Sequence, residues 1–225
     1  MKIYSLPEAL TAIILDIDRT LYDHDEYADG QISAQYRKLA EHLSVSEGEA
    51  RARVRAWRDE YARTTGGKTQ SLGNTFAALG VPIATSVKWR NETIRPEEHL
   101  KWDERLVSAL TELAAATRLV AVTNNPVAVG ESTLRALGVG DLVSEVIGLD
   151  TTLRSKPDTE PFREALRRLG VPPEGVISIG DRYDVDIAPA LAVGMGAIQV
   201  GSVTDVYDIP TILRERRLIE PVSLD

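Results

Sequence analysis

The sequence predicts an α/β fold: a doubly wound parallel sheet with an all-helical insert placed directly after its first strand. Three observations predict it. From about residue 103 onward, short apolar runs alternate with helix-like segments, the pattern of strands joined by helical crossovers. Before that, roughly 75 residues show helical periodicity and no convincing strand, far too long a stretch for a loop. Finally, the polar clusters Asp16-Ile17-Asp18-Arg19-Thr20, Thr123-Asn124-Asn125 and Gly180-Asp181 through Asp186 each follow an apolar run. Charged groups at the ends of buried strands mark a site at the rim of a parallel sheet.

Taken in order, the first strand is read at 12–16, where Ala12-Ile13-Ile14-Leu15 is apolar on both faces, as a strand covered on both sides must be. Residues 22–98 follow as the insert. Ile32, Tyr36, Leu39 and Leu43, then Ala50, Val54, Trp57 and Tyr61, recur every three or four residues with Arg and Glu between them, which is amphipathic helix. Ser46 ahead of Glu47 and Glu49 starts one of these helices, and Gly66-Gly67 ends it. Beyond the insert, helices are expected at 103–116, 126–137, 158–169, 184–193 and 208–217. Strands are expected at 118–123, 144–148, 175–180 and 196–200, with right-handed crossovers. The division is therefore a catalytic core of 1–21 plus 99–225, and a small helical cap domain of 22–98 standing over the site. There is no internal repeat and no low-complexity segment.

Composition narrows the functional classes without choosing one. With 26 Lys and Arg against 34 Asp and Glu, the formal charge of -8 argues against general affinity for nucleic acid polymers or anionic membranes, so an anionic substrate needs a local positive site. The chain has no cysteine, hence no disulfide framework and no thiol nucleophile. No segment approaches the ~18 uninterrupted apolar residues of a membrane span, and Met1 through Pro7 runs into Glu8 before any long apolar stretch. A cytoplasmic protein, monomer or homodimer, is the expectation.

The chemistry follows from residue types and spacing. Asp16 and Asp18 lie two apart, so their side chains share a face while the chain stays extended. One carboxylate can attack phosphorus while the other moves protons to and from the bridging oxygen. A phosphate dianion repels such a nucleophile, so positive charge is required. Mg²⁺, which takes hard oxygen ligands, can be held by Asp16, the backbone carbonyl of Asp18 and a carboxylate from another strand end, Asp181. Lys156 supplies fixed charge; its neighbour Pro157 is read as opening the next helix. Thr123 offers a hydroxyl, and the loop at Asn124 offers N–H groups, to hold phosphoryl oxygens.

These clusters resemble the motifs of the haloacid dehalogenase-like hydrolases, the superfamily of aspartate-nucleophile phosphatases. Asp16-Ile17-Asp18-Arg19-Thr20 matches its Asp-x-Asp-x-Thr motif, Thr123 its Thr/Ser motif, Lys156 its lysine motif, and Gly180-Asp181 with Asp186 its acidic motif. The match in order and spacing covers nearly the whole chain. The resemblance implies a Rossmann-like core with a helical cap inserted after the first motif. It also implies Asp16 as nucleophile, Asp18 as general acid and base, and Asp181 as a Mg²⁺ ligand. The Leu21-Tyr22 continuation and the cap size are most similar to the pyrimidine 5′-nucleotidase and phosphoglycolate phosphatase-like branch. Asp186 is assigned to metal support and Asp184 to the start of the helix there. The expected reaction is Mg²⁺-dependent hydrolysis of a small phosphorylated metabolite. Rival readings are a phosphomutase, a 2-haloacid dehalogenase, in which Asp18 and Asp181 have no purpose, and an idle regulatory module, which four intact motifs disfavour.

Other features have plainer explanations. Gly66-Gly67-Lys68-Thr69 imitates a phosphate-binding loop, but Ala62 stands where that motif needs glycine and the segment follows a helix, not a strand. It is better read as a cap loop near substrate. His24, His42 and His99 lack metal-ligand spacing and are expected on the surface or in packing. Trp57, Trp89 and Trp102 are expected in the cap core or between cap and core. Arg19 is expected to face away from the metal, toward the cap.

Overall fold

The structure, a computed structural model, describes residues 1–220, so residues 221–225 of the expected core segment lie outside the described residues. One sheet contains β1 (Lys2–Ser5), β2 (Ala12–Leu15), β3 (Arg118–Val122), β4 (Glu145–Ile147), β5 (Val176–Gly180) and β6 (Gly196–Gln199). Their spatial order is β1-β6-β5-β2-β3-β4, with β2 parallel to both β3 and β5. Every expected strand is present. Strand β1 was not expected; it pairs antiparallel with β6 at the sheet edge, with an irregularity between Ile3 and Ser5. Its four residues are exposed or half-buried, so no buried run announces it.

Period-two alternation along β2 sorts the core into two layers. Ile13 and Leu15 point to one face with Leu119, Ala121, Ile177 and Ile179, while Ala12 and Ile14 point to the other with Val120, Val122 and Ile147. The helical segments are α1 (Asp25–Leu43), α2 (Glu47–Thr64), α3 (Leu72–Ala78), α4 (Ile83–Thr93), α5 (Pro96–His99), α6 (Glu104–Ala116), α7 (Val127–Leu137), α8 (Leu149–Thr152), α9 (Glu160–Leu169), α10 (Ala188–Ala192) and α11 (Val203–Glu215). Helices α6, α7 and α11 cover the first face through Leu106, Leu110, Leu134 and Ile209. Helices α9 and α10 cover the second through Phe162, Ala165 and Ala190. This is the doubly wound arrangement.

Between β2 and α6 the chain is helical, α1 to α5, as expected. It carries a separate apolar cluster of Leu39, Val54, Phe76, Val81 and Trp89. Ser46 caps α2, its hydroxyl accepting from the Glu49 amide, and Gly66 and Gly67 follow that helix with positive φ.

Three helical expectations need correction. The segment at 184–193 opens as a π-helical turn over Tyr183–Ile187 before α10 begins. Helix α11 starts at Val203, ahead of 208, and runs through Pro210; burial of Val206, Ile209 and Leu213 against α6 outweighs the lost amide donor. Pro157 does not open α9, which starts at Glu160. Trp102 is also not packed as expected: it is 66% exposed and lies over Gly138, where a side chain would collide with its ring.

Candidate active site

The site lies where β5, β2 and β3 end side by side. Asp16 continues β2, its amide donating to the Ile179 carbonyl at 2.9 Å, and Thr123 continues β3, its amide donating to the Ile147 carbonyl at 3.0 Å. Asp181 follows β5 directly. This is the carboxyl end of the sheet at its switch point, where β2 connects onward toward β3 on one side and β5 lies on the other.

Lys156 organises the charges. Its ammonium is 2% exposed and lies 2.6 Å from Asp16 Oδ1 and 2.6 Å from Asp186 Oδ1. Burial draws the ammonium pKa down, but attraction to Asp16 and Asp186 overrides this and holds it protonated above the usual lysine range. The second oxygen of Asp16 accepts from the Thr20 hydroxyl at 3.0 Å. Asp186 reaches Lys156 only by passing over the end of β5. A Cβ built on Gly180 falls 2.4 Å from Asp186 Cβ, so position 180 has room for hydrogen alone. The π-helical turn places Asp186 there, and its Oδ2 accepts from the Arg182 amide.

Asp18 has a different environment from Asp16, although they are two residues apart. Its carboxylate accepts from the Tyr22 hydroxyl at 2.7 Å, the Gln31 amide at 3.2 Å, the Asn125 amide at 3.0 Å and the Thr123 hydroxyl at 3.4 Å. Burial pushes its pKa above the usual carboxylate range and the charge of Asp16 adds to this, against the Tyr22 and Gln31 hydrogen bonds and Lys156. A carboxyl held in that direction suits proton donation. The intervening Arg19 has φ 61°, a left-handed conformation uncommon for a non-glycine residue, and it turns away to pair with Asp25 at 3.0 Å and Asp29 at 2.7 Å on α1.

Asp16, Asp181 and Asp186 can each offer one carboxylate oxygen with all three within 4.8 Å of one another. Three clustered acids against one lysine leave an excess of negative charge, and the donors are all oxygen. That chemistry fits a hard divalent cation such as Mg²⁺. Burial and Asp16 push Asp181 up to about 6, against Arg182 and Lys156, the direction of an acid whose countercharge is incomplete. The Asp18 side chain is outside this cluster, and so are the three histidines. His24 caps α1, His42 packs against Trp89 and His99 stacks on Tyr27.

A cavity of about 690 Å³ opens over these groups, lined on one side by the strand ends and on the other by α1 to α4 and the 64–71 loop. Asn124 lines it, its amide donating to the Lys156 carbonyl at 3.0 Å. Thr123 is buried at its edge, where its hydroxyl also accepts from the Asn125 amide at 3.1 Å. Asp184 points elsewhere, toward Thr69 and Arg182. Lys68 and Thr69 line the cavity as a loop near the site, while Trp57 stacks on Tyr61 away from it.

Several lining residues were missed by sequence reasoning. Gln31 is one; with Tyr22 and Asn125, which lie beside the motifs but had no role assigned from sequence, it surrounds Asp18. Ser155 is another: it accepts from or donates to Ser71 at 2.6 Å and donates to Asn74 at 3.0 Å, tying the insert to the residue beside Lys156. The third is Arg90, buried on α4. Arg90 shares the inward face of α4 with Ser86 and Trp89, but with two of the three polar, no apolar periodicity marks that face in the sequence.

Known proteins resemble this chain over most of its length. Residues 10–194 match the family of haloacid dehalogenase-like hydrolases. A glyceraldehyde 3-phosphate phosphatase of Methanothermobacter thermautotrophicus is 28% identical, over 86% of this chain and 86% of its own. A protein of the same description from Methanopyrus kandleri is 28% identical, over 95% of this chain and 97% of its own. Among solved structures, a HAD phosphatase from Thermococcus onnurineus superposes with a TM-score of 0.61 at 22% identity, covering 91% of this chain and 98% of that one. At that identity the superposition speaks for the fold.

Proposed function

This chain belongs to the haloacid dehalogenase-like hydrolases, and on that premise we propose that it is a Mg²⁺-dependent phosphatase of a small phosphorylated metabolite. The observation that carries the reading is the contrast between two neighbouring carboxylates, Asp16 clamped by Lys156 and Thr20, and Asp18 buried among Tyr22, Gln31 and Asn125 with a raised pKa. The phosphatase names of the relatives point the same way.

In this mechanism Asp16 attacks phosphorus in line, the bond from phosphorus to the ester oxygen breaks, and Asp18 gives its proton to that oxygen. The aspartyl-phosphate is then hydrolysed: Asp18 takes a proton from water, whose oxygen displaces Asp16 and releases inorganic phosphate. Lys156, the Thr123 hydroxyl and the loop at Asn124 hold the phosphoryl oxygens as charge spreads over them. Asp16, Asp181 and Asp186, with the backbone carbonyl of Asp18, would hold Mg²⁺, whose charge would offset the mutual repulsion of phosphate and carboxylates. Residues 22–98 act as a cap that shields the site and supplies specificity. With no helix among the described residues able to cross a membrane, a cytoplasmic setting is part of the same proposal.

The test is phosphate release from a panel of nucleotides, sugar phosphates and small phosphate esters. EDTA is expected to silence it and Mg²⁺ to restore it. Asp16→Asn is expected to leave the fold intact and to lower turnover below a few per cent of wild type. Retained turnover in that variant would exclude the covalent mechanism. Metal-independent halide release from a 2-haloacid would establish the rival activity.

A further inference from the structure

Arg90 lies on α4, far from every motif that builds the catalytic corner, yet its side chain lines the same cavity as Asp16, Asp18 and Lys156. The residue is 6% exposed. Among the described residues no carboxylate pairs with it. Its one hydrogen bond runs from Nη1 to the Ser86 carbonyl in its own helix, at 3.3 Å. The nearest acidic influence is Asp18, whose oxygens are already held by Tyr22, Gln31 and Asn125. Burial pulls the guanidinium pKa down to about 10, which still leaves it charged at neutral pH.

A guanidinium whose remaining four N–H donors are unused by the protein presents them to the cavity for a partner to take. Nothing on the insert does so. Gly73 and the Leu149 side chain border the guanidinium, a Cβ built on Gly73 lying 4.0 Å from Nη2 and 3.6 Å from Leu149 Cδ2, and neither offers it an acceptor side chain. The two sides of the cavity differ in charge balance: Asp16, Asp18, Asp181 and Asp186 on the sheet side are accompanied by Arg19, Lys156 and Arg182, whereas on the insert side Arg58, Lys68 and Arg90 face Asp59 alone, an excess of positive charge. The phosphoryl group belongs against Lys156 on the sheet side. A cavity of about 690 Å³ holds far more than a phosphoryl group, leaving the rest of the substrate against the insert.

We propose that Arg90 receives a second oxyanion, a carboxylate or a second phosphate, on the leaving-group side of the substrate. The inference rests on the phosphatase reading above and narrows it to doubly anionic phosphate esters. A planar fork of donors matches either oxyanion in bidentate fashion, and Arg90 is accordingly a specificity-determining residue, not a participant in the chemistry.

Three matched esters test it: ethyl phosphate, 2-phosphoglycolate, which adds a carboxylate, and propane-1,3-diyl bisphosphate, which adds a phosphate. The readout is the ratio of kcat/KM for each doubly anionic ester to that for ethyl phosphate, a ratio in which the active fraction of a preparation cancels. In wild type at least one ratio is expected to reach about 10- to 100-fold, the size of a charge-assisted bond. Whichever ratio is larger names the second group. Arg90→Gln should bring that ratio close to one, and Arg90→Lys, which keeps charge but loses the fork, should fall between. Ratios near one in wild type, or a ratio unchanged in Arg90→Gln, would overturn the proposal while leaving the phosphatase reading intact. Calorimetric binding of phosphonoacetate against ethylphosphonate, neither of which can be hydrolysed, supplies a readout independent of turnover. A preference for phosphonoacetate abolished by Arg90→Gln would support the subsite even if no ester were hydrolysed, and that second failure would fall on the phosphatase reading alone.

Discussion

Lys156→Met isolates what burial does to an ion pair. Lys156 and Asp16 are 2.6 Å apart and all but inaccessible, whereas Arg63 and Glu60 are also 2.6 Å apart but 72% and 59% exposed. Distance is matched and environment is not. Removing one partner of a buried pair leaves uncompensated charge and costs about 3–5 kcal/mol, against about 0–1 kcal/mol for an exposed pair. Here two carboxylates, Asp16 and Asp186, lose the same cation. Burial already pushes Asp186 toward its protonated form, so one of the two can neutralise, which favours the lower end, about 3 kcal/mol. For a chain of this size that corresponds to a fall in Tm of roughly 6–12 °C, while Arg63→Met should shift Tm by no more than about 2–4 °C. The assay is thermal unfolding in EDTA at neutral pH, with both variants and wild type in the same buffer. Adding Mg²⁺ should recover part of the loss in Lys156→Met, because a cation that binds only the folded acid cluster stabilises it by mass action. Equal shifts for the two variants would refute the argument that environment, not contact distance, decides the worth of these pairs.

Gly180→Ala should cost about 1–3 kcal/mol, because its Cβ would stand 2.4 Å from Asp186 Cβ in a fully packed corner, and turnover should fall as Asp186 is displaced from Lys156. Melting and steady-state kinetics check this, and wild-type values for both would show that Asp186 moves aside freely. Phe76→Ala should cost about 3–5 kcal/mol by emptying the apolar cluster of the insert, measured by chemical denaturation; a loss under about 1 kcal/mol would show that the cluster is not a packed core. Replacing the Thr64 to Ser71 loop, which contributes Lys68, Thr69, Gln70 and Ser71 to the cavity wall, should change the order of preference among phosphate esters. An unchanged order would remove the loop from specificity.

That Asp16, Asp18, Thr123 and Asp181 come together could be read from sequence because each piece is local: an apolar run long enough for a buried strand, then an acid or hydroxyl at its end. Asp16 and Lys156 are 140 positions apart, but the strand order brings them together. The residues that escaped reading are those whose environment is made by another element. Strand β1 is defined by its pairing with β6, not by burial of its own. Asn125, in the loop after β3, and Gln31, on α1, meet at Asp18, where Asn125 also donates to Gln31 at 3.0 Å. Arg90 reads as one more polar residue on a helix until α4 folds back and turns it inward. On the proposed reading, the legible residues are those the phosphoryl transfer requires, and they say little about the leaving group. The illegible ones, Gln31, Ser71, Arg90 and the rest of the insert wall, line the opposite side of the cavity. On the proposed reading, the legibility of the chemistry and the illegibility of the substrate have one physical origin: reaction groups sit at strand ends, and selectivity depends on how a helical block is laid across them.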